Sequence, residues 1–190
     1  MLKFKSMKAI FDNPKDNLPI DENMSFYDFV KMSRNILIHS CFVALDQFRE
    51  IHKRAPAPWN QKDADEFFKI FQKLYPEEIK PEIESYVSKF SYTCSGQLPP
   101  LAAYFGGFIS QEIIKAITQK FKPLHSTFYM DAEEVIPELP EAKDWENFQK
   151  ATFTDVKDRE RGLEIVIGRE LLELIKNSKL FMIGAGAIGC

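Results

Sequence analysis

Gly184, Gly186 and Gly189 stand in G-x-G-x-x-G spacing directly after the apolar run Lys179-Leu180-Phe181-Met182-Ile183. In a strand-turn-helix the first glycine permits the tight turn and the second lets a phosphate approach the backbone. The third lets the helix sit close to the sheet. The free amides of the helix start then point at the anion. The same turn serves NAD enzymes, FAD enzymes, methyltransferase relatives and adenylating enzymes, and a merely structural strand-to-helix turn competes with all of them. An acidic residue for the ribose is due about 20 residues later, beyond Cys190, the last residue of the sequence. No P-loop pattern ending in Lys-Ser or Lys-Thr is present, so a kinase-type ATP site is not expected.

The remaining chemistry is sparse. His39, His52 and His125 are far apart and have no carboxylate or cysteine at metal spacing. Cys41, Cys94 and Cys190 are equally scattered and read as small packing residues. No catalytic residue and no metal ligand is assigned. Asp131 ends a predicted strand, a place where sites often form, inside an acidic connector that otherwise reads as a solvated loop.

Composition narrows the setting. The 190 residues are 45% hydrophobic, enough for one good core or two small ones. The net charge of −3 comes from 25 basic and 28 acidic residues mixed along the chain, which leaves no footprint for nucleic acid. No window approaches the roughly 18 apolar residues of a membrane span, and the N-terminus lacks a secretory apolar core. The expectation is a cytoplasmic and nuclear protein.

Three stretches must position the turn. From Ser25 to about Lys53, apolar residues such as Phe29, Ile36, Leu37, Cys41, Ala44 and Phe48 recur at three- and four-residue intervals, which predicts a helix. Pro56 and Pro58 break it. Helices follow over about Lys62–Leu74, with Asp63 and Asp65 in the first turn, and over Pro81 to about Tyr92, with a short helix near Met7–Phe11 completing a bundle. After Pro99-Pro100, one long and largely buried helix is expected with Gly106-Gly107 in its middle. Each of those glycines costs roughly 1 kcal/mol relative to alanine, so another backbone should pack against that face. LHSTFYMDA alternates like a strand, and EEVIPELPEAKDWEN reads as a surface connector. From about Ala151, Gly168 breaks an apolar run, RELLELIKN forms a short amphipathic helix, and Lys179–Ile183 form a short buried strand.

These stretches resemble, in order, one family: the ubiquitin-activating enzymes. FKSMKAIFDNP, DFVKMSRNILIHSCFVALDQF and DADEFFKI resemble the four-helix bundle inserted in that family's inactive adenylation domain. The middle stretch, with Gly106, Gly107, Gln111, Glu112, Lys115, Ala116, Lys120, Phe121, Pro123, Tyr129 and Asp131 in register, is similar to the returning half of that domain and is the most specific match. LFMIGAGAIGC resembles the nucleotide turn that opens the active adenylation domain. The resemblance implies a helical bundle over residues 1–93, the returning half over 94–150 and the start of the active half over 151–190. The fold class is then α+β with α/β, a bundle joined to an incomplete Rossmann-like adenylation region of ThiF/MoeB type.

The resemblance further implies an interior piece of a longer enzyme. That enzyme binds ATP with magnesium, adenylates the C-terminus of ubiquitin, carries it as a thioester and passes it to a conjugating enzyme. Gly184, Gly186, Ala187 and Gly189 would surround the ATP. The magnesium ligands and the catalytic cysteine would lie outside this chain, so the fragment alone is expected to be inactive. An incomplete sheet predicts poor solubility or association with the missing half. The implied partners are ubiquitin or a ubiquitin-like protein, conjugating enzymes and the enzyme's other domains. There are two departures. Arg159-Glu160-Arg161-Gly162-Leu163 stands where the family has an Arg-Tyr-Asp-x-Gln-like run, and Gln119 replaces the glycine usual before Lys-Phe. The rival readings are an activating enzyme for another modifier, a non-catalytic helical interaction module and an NAD-dependent oxidoreductase fragment.

Overall fold

Helices supply nearly all the regular structure of the computed structural model, which describes residues 5–12, 29–78, 80–124, 127–140, 145–152, 159–184 and 186. They are α1 (Met7–Asp12), α2 (Phe29–His52), α3 (Gln61–Leu74), α4 (Pro81–Thr93), α5 (Pro99–Thr118), α6 (Trp145–Thr152) and α7 (Arg161–Asn177).

The first four form the expected bundle. Spacing of three and four residues puts Ile38, Cys41, Ala44, Leu45 and Phe48 on one stripe of α2, against Phe67 and Phe71 of α3 and Tyr86 and Val87 of α4. Each wholly buried phenylalanine contributes on the order of 2–3 kcal/mol. After α2, Lys53 turns left-handed at φ 55°, Pro56 and Pro58 bar a helix from the link, and a turn at Pro58-Trp59, with Trp59 at φ 53°, brings the chain to Asn60. Asn60 caps α3, its side chain accepting the Asp63 N–H. Pro81 opens α4, where its missing N–H costs nothing.

A second cluster closes one end of the bundle. Trp59 lies flat on Tyr92, with ring centroids 5.3 Å apart and planes 9° apart, and Ala64 completes its buried centre. Ile136, Leu139, Trp145 and Phe148 pack around it. The stretch expected as a surface connector is therefore part of the packing. Its apolar residues sit at intervals among the charges, and Trp145-x-x-Phe148 belongs to α6.

Two expectations about α5 separate here. The helix exists, but none of its residues is buried. Phe105 and Phe108 meet Phe128, while Ile109, Ile113, Ile114 and Ile117 stand in the open, Ile117 being 75% exposed. The described residues offer only one stripe of a helix that is apolar nearly all round a partner. Gly106 and Gly107 have nothing within 4 Å of where a Cβ would lie, so the expected backbone contact is not made among the described residues.

Among the described residues neither expected strand forms. Residues 127–132 carry no regular structure, and no described neighbour supplies a ladder. Side chains hold this segment instead, through Tyr129 and Asp131. Lys179–Ile183 likewise has no strand geometry and is not buried, with Leu180 94% and Phe181 90% exposed. Gly168 does break α7. At φ 75° and ψ 164° it makes a kink between a buried first segment and a largely exposed second one, in which only Leu172 is buried.

Candidate functional site

Of the Gly184–Gly189 turn, only Gly184 and Gly186 are among the described residues. Gly184 takes φ 86°, a conformation that strongly favours glycine, and Gly186 is exposed. A Cβ at either position would meet nothing within 4 Å. Ala187 and Gly189 lie outside the described residues, as do Cys190 and His125. A left-handed glycine with open space around it suits an approaching anion. One cavity of about 580 Å³ lies beside Gly168 and another of about 230 Å³ between α2, α4 and the start of α5. Neither is lined by Gly184 or Gly186.

The other titratable side chains hold elements together. His39 is 1% exposed. Its Nε2–H donates to the Phe11 carbonyl at 3.1 Å, which leaves Nδ1 to accept the Tyr129 hydroxyl at 2.7 Å. Burial lowers its pKa, so the neutral ring is favoured. One imidazole thus ties α1 and the 127–132 segment to α2.

Asp131 accepts the Tyr86 hydroxyl at 2.7 Å and lies 3.5 Å from Arg34. Burial, and then that hydrogen bond, push the phenol's pKa up. Arg34 and Lys89 both reach Glu133 at 2.7 Å. These five residues fasten the 131–133 loop to α2 and α4. Asp131 accordingly serves as an anchor. The spacing of Arg34, Lys89 and Glu133 carries no sequence signal, because Arg34 and Glu133 are 99 residues apart.

Glu112 and Lys115, part of the most specific match, also prove to be a clasp. Glu112 accepts Lys115 Nζ at 2.6 Å and the Leu124 N–H at 2.7 Å, which folds the chain back after α5. Burial opposes ionisation of this carboxylate, but the two hydrogen bonds outweigh it and its pKa falls. Gln119 caps α5 at φ 56°, the left-handed position the sequence reading associated with a missing glycine.

No described thiol is set up as a nucleophile. Cys41 is fully buried in the bundle. Burial pushes the Cys94 thiol up to about 11, which leaves little thiolate near neutral pH. Among the described residues no group of three or more histidine, cysteine, aspartate or glutamate side chains could hold a metal ion. Among the same residues no helix is long and apolar enough to cross a membrane.

The bundle defines the class of the protein. Residues 1–75 match the family described as the ubiquitin-activating enzyme E1 four-helix bundle. Similarity to curated proteins extends over the whole chain. It is 38% identical over 165 residues to ubiquitin-like modifier-activating enzyme 6 of Mus musculus, covering 86% of this chain and 15% of that protein. It is 34% identical over 194 aligned positions to ubiquitin-like modifier-activating enzyme 1 of the same organism, covering 100% of this chain and 17% of the relative. Ubiquitin-activating enzyme E1 1 of Arabidopsis thaliana is 30% identical, again with 100% and 17% covered. The chain belongs to the ubiquitin-activating enzymes and spans less than a fifth of the length of these relatives.

Proposed function

We propose that this chain is the bundle and adjoining adenylation segment of an ATP-dependent ubiquitin-activating enzyme. The parent enzyme adenylates the C-terminal carboxylate of ubiquitin or a ubiquitin-like protein, holds it as a thioester on a cysteine outside this chain, and passes it to a conjugating enzyme. The observation that carries this reading is the similarity across 100% of the chain to enzymes bearing that name. The proposed organisation is bundle over 1–93, returning half of the inactive adenylation domain over 94–150, and start of the Rossmann-like active half over 151–190.

In this reading Gly184, Gly186, Ala187 and Gly189 hold the nucleotide. Gly184 turns the chain at φ 86°, Gly186 offers its amide to a phosphate, and Ala187 and Gly189 complete the set around the nucleotide. ATP, bound with magnesium, supplies the phosphorus that the modifier's carboxylate attacks, and pyrophosphate leaves. This chain's own part is to bind the polyphosphate through backbone amides and orient it. The rest of the enzyme, the modifier and the conjugating enzymes are the proposed partners, and cytoplasm and nucleus the proposed setting.

The testing experiment is modifier-dependent exchange of labelled pyrophosphate into ATP, run on the enzyme with its natural termini. Exchange that requires ubiquitin supports the reading as stated. Exchange only with another ubiquitin-like protein moves the assignment to that modifier. Silence with all of them returns the chain to the interaction-module reading.

A further inference from the structure

Trp59 is a non-glycine residue at φ 53°, wholly buried, in the Pro-rich link between α2 and α3. Left-handed backbone is unfavourable for a bulky side chain and persists where the surroundings fix it. Three contacts do so here. The ring stacks on Tyr92, meets Phe148 edge-on at 5.6 Å, and donates its indole Nε1–H to the carbonyl of Ile165 at 2.9 Å.

Ile165 lies in the last turn of α7 before Gly168. Helical dihedrals stop at Gly168, and carbonyls in the turn before a helix end need partners outside the helix. Trp59, 106 residues away in sequence, provides one. Gly168 itself is fixed by shape. A Cβ there would meet Pro137 Cγ at 3.1 Å and Thr152 Cγ2 at 3.2 Å, at a φ and ψ open essentially to glycine alone. Beyond the corner, the arm from Arg169 to Asn177 is held at few points, by the buried Leu172 and by Lys176 Nζ, 2.9 Å from Glu160 Oε2. Leu174 and Ile175 are at least half exposed. The corner is thus where the bundle dictates the course of the chain toward Gly184.

We infer that Trp59 is a positioning residue for the glycine turn: by capping Ile165 it fixes the corner at Gly168 and so the arm that delivers Gly184 and Gly186. The functional arm of this inference rests on the nucleotide reading of that turn, while the corner stands on the geometry alone. Loss of one buried hydrogen bond changes a local equilibrium by about five- to tenfold. A turn correctly placed only part of the time binds its ligand more weakly by that fraction.

The test uses the enzyme with its natural termini and Trp59→Phe, which keeps an aromatic ring and removes the donor. The expected result is a rise of up to about fivefold in KM for ATP in pyrophosphate exchange, with kcat within about twofold. Amides of residues 169–177 should exchange faster with solvent deuterium, and those of α2 at the original rate. Val87→Ala, a core change in α4, controls for general loss of stability and should leave KM for ATP unchanged. An unaltered KM for ATP in Trp59→Phe, or the same rise in Val87→Ala, overturns the positioning role. Unaltered deuterium exchange over 169–177 overturns the corner as well. If the wild-type enzyme shows no exchange with any modifier, the nucleotide reading fails, and deuterium exchange alone judges the corner. Should Trp59→Phe fold too poorly to assay, the wild-type indole proton decides: slow exchange of Trp59 Nε1–H with solvent is expected, and rapid exchange contradicts the cap.

Discussion

The carboxylate of Asp63 grips the guanidinium of Arg54 in a two-pronged pair, one contact of which is 2.9 Å. The same carboxylate accepts the Ala57 N–H at 2.7 Å. A single side chain in the first turn of α3 thereby fixes the Pro-rich link that carries Trp59. Asp63 is nearly buried while Arg54 is about half exposed, so much of the pair's worth lies in satisfying the carboxylate.

Replacing Asp63 with alanine should destabilise the protein by about 2 kcal/mol, and with asparagine by about 1, since the amide oxygen still accepts from Ala57. Equilibrium urea unfolding measures both. The hydrogen bond from Arg54, above all, lowers the carboxylate's pKa. The stabilisation is therefore full above the unfolded pKa near 3.9 and is lost as pH falls through the lower folded value. Equal acid sensitivity in wild type and Asp63→Asn would contradict this.

His39 gives the second pH dependence. Burial lowers its folded pKa below the unfolded value of about 6.5. Unfolding then takes up a proton in the interval between the two. Stability should be constant above about pH 7 and fall as pH drops from about 6.5 toward the folded value. In His39→Gln that slope should vanish, at a cost of about 1–2 kcal/mol near neutral pH for the weakened tie to Phe11 and Tyr129. Thermal melts between pH 5 and 8 decide it, and a slope unchanged in the variant contradicts the assignment.

Gln119 occupies the left-handed cap of α5 that a glycine fills without strain. Gln119→Gly should stabilise the end of α5 by about 0.5–1 kcal/mol, less whatever the freer unfolded chain takes back. Slower amide deuterium exchange around Lys115–Thr118 is the expected signature, and faster exchange there would speak against it.

The outer face of α5 should govern the behaviour of the isolated 190 residues. Ile113, Ile114 and Ile117 are all at least half exposed, and contiguous apolar surface of this kind promotes association. Sedimentation velocity is expected to show self-association of the unmodified chain that Ile113→Lys with Ile117→Lys relieves. A monodisperse, cooperatively melting monomer before substitution would contradict the expectation.

Local features explain what was legible in advance. The bundle could be read because its periodicity is written within each helix, as in Cys41-Ala44-Leu45-Phe48, and its breaks are marked by Pro56, Pro58 and Pro81. Gly168 signalled its kink in the same way. The spacing of Asn60 and Asp63 could have revealed the α3 cap. By contrast, alternation in LHSTFYMDA and the apolar run Lys179–Ile183 describe only what those segments would do beside a partner strand, and sequence pattern does not supply the partner. Arg34 with Glu133, and Trp59 with Ile165, are long-range pairs invisible to spacing. The glycine turn could be read as a pattern, yet its outcome depends on surroundings that the pattern does not contain.

On the proposed reading the Gly184–Gly189 turn holds the nucleotide of an activating enzyme. Its most direct test compares Gly186→Val with the wild-type enzyme at its natural termini, measuring ATP binding and ubiquitin-dependent pyrophosphate exchange side by side. The added side chain should block the approach of phosphate to the backbone, abolishing exchange and weakening ATP binding at least tenfold while the melting temperature stays within a few degrees. Undiminished ATP binding and exchange in Gly186→Val would place the nucleotide elsewhere and leave this turn a structural one.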